Sequence, residues 1–346
     1  MLDAGGRAYA YSKACGIIGK SFVGKRIPAL YGLHTLSEFS RFVFPHENLN
    51  LPGRELLADL ERRIIARTIR QIVSVINSYQ KPPELLILLL RSYEYSDLKS
   101  CLHYIDAGKK EQPVLCDIGD YKTIHFEAYP DIAAMLAATE FENIPGKTEQ
   151  KINFSLLESE IDKLYYRRLK ETLFSLSSDD REISQRIIAE EIAIRNCIWA
   201  FRLRTYFHKT AEETKDFLMD ITMKSVRDTL MDSPRREISL VSDALKSLDF
   251  HLDIRSHWTD WKWEKLLNPE QPGVHWYADP KYFQNAASKY LYRLAMRYFR
   301  LMPMSVSMVF CFVKVKQYEE DLLTSIIEGL GLGMSSNDVL DLLGVS

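Results

Sequence analysis

Four short patterns that would announce chemistry are missing from this chain: C-x-x-C, H-E-x-x-H, G-x-x-x-x-G-K-[ST] and G-x-S-x-G. The first two hold zinc, the third cradles nucleotide phosphates, and the fourth presents a nucleophilic serine on a strand-to-helix elbow. Without them no catalytic residue, cofactor or metal is expected, and neither is ATP hydrolysis. Cysteine is scarce as well. The five present (Cys15, Cys101, Cys116, Cys197, Cys311) are odd in number and far apart. Reduced thiols inside a cell fit that spread better than a disulfide framework does. His251 and His257 stand near each other, but nothing beside them has ligand spacing.

A surplus of one charge is also missing. With 45 basic and 47 acidic residues the formal net charge is -2. Nucleic-acid binding in general draws on a basic excess to displace counterions, so no nucleic-acid partner is expected. Long apolar runs are absent too. The uncharged stretch Leu301–Val313 contains Pro303 and falls short of the roughly 20 residues that span a bilayer. The first residues lack the basic-then-apolar order of a secretory leader. The expectation is a soluble chain, long enough at 346 residues for two or three compact units.

What the chain does contain is repetition. One anchor is Ser37-Glu38-Phe39, then Thr139-Glu140-Phe141 and, less closely, Leu248-Asp249-Phe250. A second is a polar step inside an apolar run: Asp97-Leu98, Asn196-Cys197 and Asp321-Leu322. Between the anchors lie LLADLERRIIARTIRQIVSVINSY, LLESEIDKLYYRRLKETLFSL and YFQNAASKYLYRLAMRYFRL. In the first, Leu60, Ile64, Ile72, Ile76 and Tyr79 recur near helical spacing, which makes one buried stripe. Pro82-Pro83 and Pro303 follow two of these stretches, where a helix would stop. Gly108 and Gly331 follow their Asp anchors as helix C-terminal caps should. Copies one and two also share a Pro-Gly turn, Pro52-Gly53 and Pro145-Gly146. Only VLCDIGDYKTIHFEAY, Val114 to Tyr129, alternates enough to pair briefly as strand. The pattern predicts an all-α chain of three pseudo-repeated helical domains, 1–110, 111–225 and a degenerate 226–346.

Trp258, Trp261, Trp263 and Trp276 crowd the third copy with His257 and Tyr277. Such side chains can stack on a sugar or base, or anchor a partner. Local packing of an insertion poor in aliphatic residues is the favoured reading. Gly329-Leu-Gly331-Leu-Gly333 looks like a phosphate cradle but follows a predicted helix, where a cradle follows a strand, so a cap or hinge is favoured. Each amphipathic stretch carries a basic row: Arg63/Arg67/Arg70, Lys163/Arg167/Lys170 and Lys289/Arg293/Arg297/Arg300. Spacings of three and four put each row on one face. A solvated face is the usual meaning. Recurrence in all three copies raises an acidic protein partner, with Arg293, Arg297 and Arg300 as the candidate contacts.

Taken in order, YAYSKACGIIGKSF, the SEF and TEF anchors, SEIDKLYYRRL, EEIAIRNCIWAFR and VKQYEEDLLTSIIEGL cover nearly the whole chain. Together they resemble the C subunit of the V/A-type rotary ATPases of archaea and bacteria, the counterpart of the d subunit in eukaryotic V-ATPases. That resemblance implies a funnel of three helical domains about a pseudo-threefold axis, peripheral to the cytoplasmic face of the membrane. It implies a non-catalytic central-rotor component, a socket coupling shaft subunits D and F to the membrane rotor ring of c/K subunits during ATP-linked proton or sodium transport. Membrane contact would run only through the ring. The alternatives are a general helical-repeat scaffold and, further off, an enzyme with a site between helical bundles.

Overall fold

The computed structural model describes residues 4–46, 51–144, 154–224 and 237–345. In chain order the helices among them are α1 (Ala4–Ile18), α2 (Leu36–Val43), α3 (Gly53–Ile76), α4 (Glu84–Asp106), α5 (Ile132–Met135) and α6 (Phe154–Thr172). They continue with α7 (Ser178–Tyr206), α8 (Ala211–Lys215), α9 (Ser242–Leu248), α10 (Pro280–Leu301), α11 (Val306–Gly331) and α12 (Ser336–Leu342). Local chemistry sets their ends. The hydroxyls of Thr35, Ser177, Ser305 and Ser335 accept from backbone N–H groups of the first turns of α2, α7, α11 and α12. Each such cap contributes about 1 kcal/mol. Pro82-Pro83 separates α3 from α4, and Pro303 lies in the break between α10 and α11.

The chain divides into two compact units, Met1–Pro82 with Lys281–Ser346, and Pro83–Pro280. The first is assembled from segments far apart in sequence. Helix α3 lies along α11, α1 packs on both, and α2 and α12 pack on α11. Leu60 and Ile64 of α3 meet Leu323 and Ile327 of α11, with Phe39 of α2 and Leu340 of α12 in the same core. Every residue of α11 from Val306 to Val313 is buried. Full burial of its Val, Met and Phe side chains stabilises by roughly 1.5–3 kcal/mol each. Helix α10 is tied in by Tyr292 stacked on Tyr318 at 4.4 Å and by Phe299 against Tyr11.

The glycine-rich segment resolves into separate roles. A Cβ on Gly329 would collide with Val339 Cγ2, so this glycine lets α12 fold back against α11. Gly331 is the last residue of α11, and the left-handed cap is Gly333, at φ 85°. Its N–H reaches Leu330 O at 3.1 Å, and Met334 N–H reaches Gly329 O at 2.9 Å. The expected cap at Gly331 is therefore two positions early. At Gly108 the expectation holds, with φ 68° and the Lys109 N–H bonded to Tyr104 O at 2.9 Å.

In the second unit α4 packs on α6, α6 on α7, and α7 on α9. Here the expected strand at Val114–Tyr129 is overturned. The segment is irregular backbone with two short 3-10 turns, Gly119–Tyr121 and Phe126–Ala128. Buried carboxylates of α4 take the amide donors that a ladder would need. Asp97 accepts from Cys116 N–H at 2.7 Å, and Glu94 accepts from Thr123 N–H at 2.5 Å and Ile124 N–H at 2.6 Å. A backbone donor spent on a side chain is lost to a sheet. The strands among the described residues are β1 (Thr222–Lys224) and β2 (Glu237–Ser239), antiparallel with Thr222 opposite Ser239. The chain is thus mostly helical with a small two-stranded sheet. The Pro145-Gly146 turn and the 225/226 division lie outside the described residues.

Candidate interaction surface

The polar steps fall on the second helix of each long pair: Asp97 on α4, Asn196 on α7, Asp321 on α11. Two of them clamp loops. Asn196 is buried; its Oδ1 accepts from Met219 N–H at 2.8 Å and its Nδ2 donates to Met219 O and Leu240 O. Asp97 is buried against Cys116, and desolvation pushes its carboxyl up to about 6. Asp321, by contrast, is exposed. The clamp on α11 is Glu319, two residues earlier, which accepts from Phe22 N–H at 2.7 Å and pairs with Lys316 and Arg67. Burial works against the Glu319 carboxylate, but Lys316 and Arg67 outweigh it and hold its pKa below the ordinary value. Sequence reasoning missed Glu94, Lys316 and Glu319. The only signal was a charge inside an apolar run, which the adjacent polar residue masked.

The three basic rows have three fates. In the first, Arg67 turns inward to Glu319 at 3.3 Å and lies over the rings of Phe22 and Phe44, so it is no solvated face. In the second, Lys163 pairs with Glu160 at 2.9 Å and donates to Asp216 O. In the third, Lys289 donates to Gly344 O, while Arg293, Arg297 and Arg300 are exposed. Among the described residues none of these three arginines pairs with a carboxylate. The structure brings all three together along a groove of about 520 Å³, completed by Tyr292, Met296 and Leu301. Buried Phe283, Ala287, Ala295 and Phe299 hold α10 in place beneath it.

The tryptophans form a local core. Trp258 is 0% exposed, meets Phe201, Phe250 and Trp261 edge to face, and donates Nε1–H to His251 O at 3.0 Å. Trp261 and Trp276 also donate to backbone carbonyls, those of Asp243 and Asn268. Faces that pack on each other in this way are not presented to a ligand. None of the five cysteines forms a disulfide. Among the described residues no group of three or more His, Cys, Asp or Glu is placed to hold a metal, and no helix is long and apolar enough to cross a membrane.

The class these features define is a mostly helical protein of long paired helices whose distinctive surface is a basic groove. Its family follows from comparison: residues 45–342 match the ATP synthase (C/AC39) subunit family, and the chain belongs to that family. An uncharacterized protein of Treponema pallidum (strain Nichols) is 27% identical over 341 residues, 97% of this chain and 96% of that protein. The A-type ATP synthase C subunit of Methanococcoides burtonii is 25% identical over 187 residues, 50% of this chain and 48% of the relative. That of Methanosarcina mazei is 23% identical over 219 residues, 57% and 58% of the two chains. The chain thus spans about half the length of the two relatives whose names state a function.

Proposed function

We propose that this chain is a non-catalytic rotor component of a V/A-type ATPase or ATP synthase, a socket between the central shaft (subunits D and F) and the membrane rotor ring. The observation that carries the reading is the family match over residues 45–342, with relatives named as the C subunits of A-type ATP synthases. The packing supports it. Helix α4, second of its pair, packs on α6, first of the next; α11, second of the last pair, packs on α3, first of the first. Both contacts run from the second helix of one pair to the first helix of another, the same join made twice, as expected of neighbouring pseudo-repeats 1–110, 111–225 and 226–346. In the proposed role the three repeats form a funnel about a pseudo-threefold axis on the cytoplasmic face.

Attachment in this proposal is protein to protein, since near-zero net charge gives little general attraction to anionic lipid. The test mixes purified chain separately with detergent-solubilised rotor ring, with the shaft subunits and with protein-free liposomes. Binding to ring and shaft is expected. Binding to liposomes alone overturns the socket, and so does a native complex that lacks other rotary-ATPase subunits.

A further inference from the structure

We propose that the groove on α10 is a docking site for an acidic amphipathic helix of a partner protein, lying alongside α10. The inference rests on the protein-contact reading above and adds the chemistry of the occupant. Across its 22 residues α10 contains no Asp or Glu, although it carries Lys281, Lys289, Arg293, Arg297 and Arg300. Its counterparts interleave the signs: α3 has Glu55, Asp59 and Glu61, and α6 has Glu158, Glu160, Asp162 and Glu171. A solvated helix face normally gains from carboxylates three or four residues from its cations, and like charges at that spacing repel. On α10 the countercharge has to come from elsewhere. The helix dipole accounts for Arg300, which stands in the last turn, but its effect fades within that turn and leaves Arg293 and Arg297 unexplained.

Beside the arginines the surface is apolar. Met296 lines the groove, Leu301 is 59% exposed at its end, and Met304 beyond it is 50% exposed. Met304 also sits at φ 59°, a left-handed conformation that costs a non-glycine residue energy and here turns an apolar side chain to solvent. Charge and apolar area together describe the complement: carboxylates along one line, with an apolar residue beside them. Arg293 to Arg300 spans about 10 Å of helix rise. A helix laid alongside matches that span with carboxylates at i, i+4 and i+7, which puts its neighbouring apolar side chains over Met296 and Leu301.

Two measurements test this. In the first, a photo-crosslinking residue replaces Met296 in the full chain within its native complex, and the crosslinked peptide is sequenced. A helical segment with at least two Asp or Glu three or four residues apart is the expected product. Lipid, nucleic acid, a segment without those carboxylates, or no crosslink overturns the proposal. In the second, the purified chain is titrated with a synthetic helical peptide carrying Glu at i, i+4 and i+7, and with the same composition scrambled. Phosphatidylglycerol vesicles and a single-stranded oligonucleotide are run beside them. The ordered peptide should bind about tenfold tighter than the scrambled one. That preference should vanish in Arg293→Glu/Arg297→Glu/Arg300→Glu, and largely in the triple Gln variant should the Glu variant fold poorly. The preference should also shrink between about 0.1 M and about 1 M salt, where the Debye length falls from ~10 to ~3 Å. Equal binding of both peptides, or tighter binding of vesicles or oligonucleotide, refutes it. Refutation while ring and shaft still bind removes the acidic helix and leaves the socket.

Discussion

Replacing Asp97 by asparagine should make the protein less sensitive to pH. Asp97 is buried on α4, its Oδ2 accepting from Cys116 N–H, with Cys101, Lys122 and Glu94 as titratable neighbours. Desolvation raises its pKa from 3.8 to about 6 against the opposing effect of Cys116 and Lys122. A carboxyl whose folded pKa lies above its unfolded value binds its proton more tightly when folded. Its stabilising contribution is complete below about pH 4 and is lost as the pH rises through about 6. At about 1.4 kcal/mol per unit the full shift corresponds to about 3 kcal/mol; partial solvent contact reduces this to about 1–2 kcal/mol. The amide of Asp97→Asn keeps the acceptor for Cys116 N–H and carries no charge, the arrangement that Asn196 already has on α7. Urea unfolding of both proteins between pH 4 and 7 checks this. The stability of the variant minus that of the wild type should rise by about 1–2 kcal/mol across that range, and subtraction removes the other titrating groups. A difference that stays flat, or falls with pH, refutes the reasoning.

Three more substitutions probe the packing. Gly329→Ala drives a methyl into Val339 Cγ2 and should cost about 1–3 kcal/mol by overpacking, read as a lowered Tm; adding Val339→Ala should recover part of the loss. Asn196→Ala removes three buried hydrogen bonds, those to Met219 N–H, Met219 O and Leu240 O, and should cost about 3 kcal/mol in urea unfolding, at about 1 per bond. Lys316→Met leaves Glu319 buried beside Arg67 and Phe22 N–H alone. The expected loss is about 3–5 kcal/mol, and a double-mutant cycle with Glu319→Gln should recover part of it.

The helices were legible because burial follows their periodicity. Leu60, Ile64, Ile72 and Ile76 are all buried along α3, and Leu60 and Ile64 share a core with α11. Breaks at proline and the cap at Gly108 could be read for the same reason, since each is decided by backbone chemistry within a few residues. What failed to show was decided at longer range. Val114–Tyr129 alternates like a strand, but its donors are claimed by Glu94 and Asp97 from another element. Asp321 and Glu319 differ by two positions in a run of similar composition. Phe22 N–H, 297 residues away in sequence, and Arg67, 252 away, select Glu319. For the candidate site the spacing of Arg293, Arg297 and Arg300 was readable. Whether they met carboxylates was not, because Arg67, in a row of the same appearance, finds a partner 252 residues on.

The first unit draws on both Met1–Pro82 and Lys281–Ser346, and this orders events during synthesis. The segment Pro83–Pro280 leaves the ribosome as one uninterrupted block and can collapse on itself. Helix α3, already made, waits for α11. At roughly 5–20 residues per second, the 252 residues between Arg67 and Glu319 take from about ten seconds to a minute to appear. Through that interval Leu56, Leu60 and Ile64 lack the apolar surface they finally lie on. The nascent chain therefore carries an uncovered, sticky helix for most of its translation, a natural client for a holding chaperone. A ribosome stalled anywhere short of α11 would release it with that face still bare.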